Sequence, residues 1–578
     1  MNLSFRLALA SPDSSLPASD PIDGSPVFQT LGARMWSSAP HIDLGDAGCI
    51  IGPLFRREIP SSRVTDLGAS ERQAIIATGG RALIEQYWGG YIAVLIGTDG
   101  TVSVIRDPSG MIPCYVRRDA NGITLASAMT ALAARGQARI DYDALALMFA
   151  GIDTIGRRTG ISGIEELLPG ECLVWGGAGT HVGQIWSPWD HIQPAKRRSF
   201  EEASLSLRAT LKDSIGAWST CFDRILVGVS GGLDSSIVAA ALGPRTPRLS
   251  CLTMVEPGTD GDERRYAEAL VEKLGVRLDA PTYDLGAVDV TRPILPHFPL
   301  PYAGHYFHAI EAEHRRLQEE FPIDAFFSGN GGDNVFCGLR SAAPFADQML
   351  AKGIGPALFS TARDIADLTG SGMVDVARKG WSRIRRRHLG HVVRRDLSGL
   401  GQAGMAGAMG VDDLHPWLSA PPGTLPGKAA HVAILARAQK SIELYPRESH
   451  PPQIAPLLSQ PVVELCLSIP TWQWVHAGRD RAVARAAFAG ILPDLLVNRT
   501  TKGSPSGFVR RVYEAQGHIA RELLIDGKLV AAGLIDPDWL AHTADGDWRD
   551  DGRDLRLLSF AAAEAWVDWW TSDKPIGA

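Results

Sequence analysis

The sequence is poor in cysteine, and what it has forms no pattern. Its seven thiols are scattered over 578 residues with none in a C-x-x-C pair, so neither a zinc site nor a redox dithiol is indicated. A sparse, odd set in so long a chain fits a reducing compartment, and a cytoplasmic protein is expected. No apolar run approaches the ~18 residues of a membrane span. The first twenty residues carry one arginine and a short apolar stretch broken by polar residues and proline, and read as a first strand rather than a signal peptide. Basic charge is not in excess. Lys and Arg number 57 against 64 Asp and Glu, a net charge of −7, which excludes a bulk nucleic-acid binder. No internal repeat is visible.

What is present is ordinary globular material, 45% apolar and 21% charged, in a chain long enough to need two or more domains. Residues 1–195 read as β-rich. Short apolar runs at Tyr91–Ile96, Thr101–Ile105, Gly122–Leu125 and Glu171–Trp175 are punctuated by Asp99-Gly100, Pro108-Ser109-Gly110 and Asn121-Gly122 turns. Ile185–Arg198, rich in Pro, Trp and charge, reads as a linker, and a helix is expected over 201–215. From Arg224 the pattern becomes strand, loop, helix. Runs at 225–230, 248–254 and 324–327 are strands, and those at 237–242 and 262–274 are helices. Such alternation implies a doubly wound sheet that binds its ligand at the carboxyl ends of the strands. Beyond about residue 340 the chain reads as mostly helical.

The clearest motif is Ser230-Gly231-Gly232-Leu233-Asp234-Ser235-Ser236, which follows a strand and opens a helix. Two glycines allow close approach of backbone to an anion, and the helix N-terminus offers free N–H groups. No Gly-Lys-Ser/Thr follows, so this is not a Walker loop. Asp234 would repel a phosphate and makes sense as a Mg²⁺ ligand. A second Gly-rich turn, Ser328-Gly329-Asn330-Gly331-Gly332-Asp333-Asn334, ends another strand and would lie beside the first. Its Asp333 reads either as a second metal ligand or as a helix cap. The run Arg378–Arg395 is strongly basic and reads as a solvated helix face or as a dock for an acidic partner.

The first loop resembles the SGGxDS loop of ATP-pyrophosphatases, where the β- and γ-phosphates are held and leave as pyrophosphate. On that likeness the ATP contacts are Val227, Gly228, Ser230, Gly231, Gly232, Asp234, Ser235, Ser236, Ser328 and Gly329, with Asp234 and Asp333 on Mg²⁺. The second loop resembles the SGEGxDE signature of asparagine synthetases, and 456–502 resembles their later stretch, in which Lys502 matches the catalytic lysine. The segment from Trp88 to Leu132 is similar to the glutaminase domain of the same enzymes. The resemblance implies an α/β chain of two domains. The first, over 1–195, is a β-rich, degenerate glutaminase-like domain of the Ntn type. The second, over 196–578, is a doubly wound parallel-sheet ATP-pyrophosphatase domain with a helical extension.

The departures carry information. Where those glutaminases place a nucleophilic Cys at position 2, this chain has Asn2, so glutamine hydrolysis is not expected. The acidic residue of SGEG is Asn330, the Asp of PFLD is Ser459, and the lysine-rich turn is Gly478-Arg479-Asp480-Arg481. ATP chemistry is kept while the acyl pocket is altered, a combination shared by β-lactam synthetases and by lasso peptide cyclases, with the latter the nearer match. The expected reaction adenylates an Asp or Glu side chain of a precursor peptide, which its N-terminal amine then captures. ATP and Mg²⁺ are the expected cofactors and a leader peptidase an expected partner; oligomeric state is left open. Asn330, His305, Tyr445 and Glu448, with His308 and Arg447 nearby, are candidates for the acyl pocket or base. The alternatives are a β-lactam synthetase, a glutamine-independent asparagine synthetase, or an inactive peptide-binding relative.

Overall fold

The apolar runs of the first 184 residues pair as two antiparallel six-stranded sheets. One orders Ile164–Glu166, Tyr115–Asp119, Gly122–Ala126, Phe5–Ala10, Ala33–Ser37 and Phe28–Gln29. The other orders Gly179–Gln184, Glu171–Gly176, Val102–Arg106, Ile92–Ile96, Gly48–Ile51 and His41–Asp43. The two sheets share a core in which Leu7, Leu9 and Leu125 meet Ile51, Val94 and Val104. This is the sandwich that alternating apolar positions dictate once one face of each sheet is dry. The computed structural model describes residues 3–10, 25–30, 32–120, 122–151, 156–176, 179–193, 198–243, 248–256, 262–389, 392–410, 413–443, 445–447, 449–501, 503, 505–543 and 552–573.

The sheet of the following half is parallel and five-stranded. Its members in chain order are β1 (Ile225–Gly228), β2 (Leu249–Leu252), β3 (Arg277–Asp279), β4 (Ala325–Ser328) and β5 (Gln453–Ile454), and across the sheet they run β3-β2-β1-β4-β5. Ile225, Leu226 and Val227 are buried on both faces, as the unbroken apolar run requires. The helices that bear on the site are α1 (Leu233–Leu242), α2 (Arg264–Leu274), α3 (Gly332–Val335) and α5 (Ala482–Phe488), while α4 (Met373–Arg386) belongs to the helical extension. All ten residues of α1 are buried, and its alanines let it lie close to the sheet. The helix expected over 201–215 spans Phe200–Ser219, opened by a capping box between Ser199 and Glu202. Past residue 340 the only strand among the described residues is β5, and the rest of the secondary structure is helical.

The two halves are locked together. Arg57 forks onto Glu464 at 2.7 and 2.8 Å, and Arg447 donates to the Met111 carbonyl at 2.6 Å. Glu166 accepts from Arg106 at 2.8 Å and from Lys440 at 3.0 Å. The described part of Ile185–Arg198 does not behave as a free linker. Trp186 is buried and donates its indole N–H to Glu464 at 3.0 Å, and Pro188–His191 is a 3-10 turn.

Candidate active site

β1 and β4 are hydrogen-bonded neighbours, with Gly228 opposite Ser328, so the loops after them emerge side by side. The loops meet in one cavity of about 230 Å³ lined by Gly228, Ser230, Gly232, Asp234, Ser235, Gly329, Asn330, Gly331, Gly332, Asp333 and Asn334. The glycines make this approach. A Cβ on Gly329 would stand 2.3 Å from the Ser235 amide nitrogen, and one on Gly332 2.4 Å from the Asp234 carboxyl carbon. A Cβ on Gly228 would meet nothing within 4 Å, which leaves open space above the end of β1. Within the first loop, the Ser230 amide donates to Ser235 Oγ at 3.2 Å. Ser236 turns inward instead and donates to the Gly232 carbonyl at 2.7 Å, so its hydroxyl braces the loop rather than facing the cavity. Val227 is buried beneath, and neither Gly231 nor Ser328 is among the residues lining the cavity.

Two carboxylates converge across the cavity on one cation. Arg481 Nη1 lies 3.0 Å from Asp234 Oδ2 and also bonds Asp333 Oδ1. Arg481 sits at the N-terminus of α5 with φ of +50°, a conformation costly for any residue but glycine. Burial works against its charge, but Asp234, Asp333 and Asp480 outweigh that cost and raise its pKa. A positive charge held by both carboxylates shows that their donor set fits a divalent cation, with phosphate oxygens to complete the coordination. A backbone cradle of glycine and serine at a helix N-terminus fits the phosphates themselves.

A second tether lies beside the first loop. Arg499 donates to the Gly231 carbonyl at 2.7 Å, stacks 3.8 Å over the Tyr266 ring and bonds Glu263. Glu263, buried at the start of α2, also accepts from the Gly503 amide. The segment on either side of Lys502 is thus tied to the first loop, while Lys502 itself, Glu448 and Asn2 lie outside the described residues.

Other candidates fall elsewhere. Asn330 lines the cavity, its side-chain oxygen accepting from the Gly331 amide at 3.0 Å. His305 is buried, and neither ring nitrogen has a hydrogen-bond partner among the described residues; burial pushes its pKa down to about 3. His308 accepts from the Asp289 amide at 3.3 Å. Neither histidine lines the cavity. Tyr445 bonds His314 Nδ1 at 2.8 Å and borders a separate cavity of about 600 Å³ with Glu311, Arg315 and His450. It does not line the loop cavity, and burial raises the pKa of its engaged hydroxyl. Ser459 is fully buried, accepting from the Trp218 indole at 3.0 Å and donating to the Pro456 carbonyl at 2.7 Å, so this departure serves packing rather than the cavity wall. Arg481, Arg499 and Glu263 carry geometry that motif reading left without a role. The Gly-Arg-Asp-Arg turn was the one visible signal for the first of them.

The asparagine synthase family model matches residues 206–396 and 453–568, and a glutamine amidotransferase domain model matches 72–186. Carboxyethyl-arginine beta-lactam-synthase of Streptomyces clavuligerus is 27% identical over 263 residues, 42% of this chain and 46% of that protein, so the chain spans about half the length of the curated relative it matches. Two solved structures overlap 57% of the chain at low similarity. The glutamine phosphoribosylpyrophosphate amidotransferase from B. subtilis, complexed with ADP and GMP, shares 13% identity over 84% of its length with a TM-score of 0.20. A structure of the allosteric regulatory enzyme of purine biosynthesis shares 12% over 83% with a TM-score of 0.19. With a β-rich amidotransferase-like half followed by a parallel-sheet synthetase half, and a family match over more than half its length, the chain belongs to the asparagine synthase family.

Proposed function

We propose that the chain is an ATP-dependent peptide cyclase, with 1–195 as its amidotransferase-like half and 196–578 as its synthetase half. The observation that carries the ATP chemistry is the pair of loops at adjacent strand ends, whose Asp234 and Asp333 share one cation. The backbone amide of Gly232, with Ser230 and Ser235, holds the β- and γ-phosphates, and Gly228 and Gly329 leave room for the rest of the nucleotide. Asp234 and Asp333 hold Mg²⁺, which when bound supplies the charge that lets pyrophosphate leave. Arg481 then turns its guanidinium from the carboxylates to the phosphates. A substrate carboxylate oxygen attacks the α-phosphorus and pyrophosphate departs. The amine attacks the acyl carbon of the mixed anhydride, loses its proton, and expels AMP. Lys502 is assigned to neutralise charge on the acyl oxygen and α-phosphate during both steps.

Glutamine is not the assigned source of the amine, because Asn2 stands where the glutaminases carry their nucleophilic Cys. Burial raises the pKa of all seven cysteines, that of Cys172 to about 11 and those of Cys49, Cys114 and Cys251 to about 12. The nucleophile is therefore held by the substrate, and an amine within the same peptide is presented at high effective concentration. A second reading, closure of a ring in a small molecule, draws on the likeness to the β-lactam synthase. Mass spectrometry of a leaderless candidate precursor separates the two. Loss of one water from the peptide supports the cyclase. Conversion of free aspartate and ammonia to asparagine, or ring closure of an amino-acid-sized substrate with the peptide untouched, overturns it.

A further inference from the structure

The helical extension carries two coincident surface features that catalysis does not use. Residues 378–395 hold eight Lys and Arg and no acidic residue, in a chain whose net charge is −7. The same region is apolar at its surface. Of the thirteen exposed large apolar side chains among the described residues, six (Ile354, Phe359, Met373, Val374, Trp381 and Val392) fall between 354 and 392. α4 organises them. Its inner face sets Val376 and Gly380 against the core, and Gly380 lies so near Phe345 that a Cβ would stand 2.4 Å from that ring. Its outer face runs Val374, Arg378, Trp381, Arg385, one above the next at helical spacing, alternating apolar and cationic. Arg378 pairs with Asp375 at 2.8 Å, an exposed contact that contributes little in water.

We propose that this face of the extension docks on an anionic phospholipid surface. Clustered Lys and Arg are drawn to acidic headgroups, and Trp and aliphatic side chains set among them enter the headgroup boundary. The exposures favour a surface over a peptide. Val374 is 82% exposed and Ile354 75%, so these side chains stand out from the protein rather than forming the walls of a groove. A soft planar partner can accept such projections, whereas a bound peptide strand needs a trough. The contact would be peripheral, since no helix among the described residues is long and apolar enough to cross a membrane.

The test is sedimentation of the full-length protein with phosphatidylcholine vesicles, with and without added phosphatidylglycerol, at low and high salt. The expected result is co-sedimentation with the phosphatidylglycerol vesicles alone, and release by salt. The double variant Arg378→Gln/Arg385→Gln should partition roughly thirtyfold more weakly, from ~1 kcal/mol per arginine at 1.4 kcal/mol per tenfold. Trp381→Ser should weaken binding without changing its salt dependence. Thermal melts of the variants matching wild type exclude misfolding as the cause. Wild-type protein left in the supernatant with both vesicle types, or variants that sediment like wild type, overturns the proposal. Binding of polyglutamate that these variants lose, without vesicle binding, reassigns the face to an acidic protein partner.

Discussion

Arg481 Nη1 stands 3.0 Å from Oδ2 of Asp234, so a cation of the protein itself occupies the point where the carboxylates of the two loops meet. The guanidinium bridges the two carboxylates and offsets their repulsion, so a metal would have to compete with it for the same oxygens. Arg481→Ala is therefore expected to move two measurements in opposite directions. Affinity for Mg²⁺ alone, read by calorimetry, should rise. Turnover should fall by about a hundredfold, the usual cost of losing one charge contact made in the transition state. Unchanged Mg²⁺ affinity would show that the arginine does not guard the site.

The aspartates themselves admit no substitute. Asp234→Asn and Asp333→Asn should each abolish AMP formation, because a carboxamide leaves the departing pyrophosphate without its metal clamp. Near wild-type AMP release from both variants would remove the metal assignment.

Glu263 is expected to act through the loop rather than on the substrate. It accepts from both Arg499 and Gly503, and Arg499 in turn fixes the Gly231 carbonyl. Glu263→Gln keeps an acceptor but removes the charge opposite a buried guanidinium. Breaking such a pair costs about 3 kcal/mol of stability. The variant should melt lower and show a KM for ATP raised about tenfold, with a smaller change in kcat. A melt and an ATP titration indistinguishable from wild type would refute this.

A fourth carboxylate, Glu166, bears on stability alone. Burial by itself would raise the Glu166 pKa, but Lys440 and Arg106 outweigh it and hold the group at about 2, below the ordinary 4.5. A depressed folded pKa stabilises the protein above the unfolded value, and that contribution is lost as pH falls from about 4.5 to about 2. Glu166→Gln should cost about 3 kcal/mol at neutral pH by stranding two buried cations. Its denaturation curve should also be flatter than that of wild type across this acid window. Parallel pH profiles for the two proteins would show that Glu166 does not link the halves.

Both glycine-rich loops could be located from sequence because what shapes them is local. Close backbone approach demands glycine, and Gly329 and Gly332 sit against Ser235 and Asp234 as the motifs imply. The strands at 225, 249 and 325 were readable from unbroken apolar runs. What could not be read depends on contacts between residues far apart in the chain. Arg481 reaches Asp234 from 247 positions away, and Arg499 reaches Glu263 from 236. No local pattern distinguishes such an arginine from a solvated one. For the same reason Trp186 read as part of a linker although Glu464 buries it, and Ser459 read as an acyl-pocket departure although its partner is Trp218. Tyr445 was placed near the acyl site by its neighbours in sequence, but the bond to His314 turns it toward another cavity.

The account rests on adenylation, and the nucleotide products test that most directly. The purified protein is incubated with ATP, Mg²⁺ and a leaderless candidate peptide, and the nucleotides are separated by chromatography while pyrophosphate is assayed. AMP and pyrophosphate in equal amounts, matched by dehydrated peptide, is the predicted result. ADP with inorganic phosphate as the main products would contradict it.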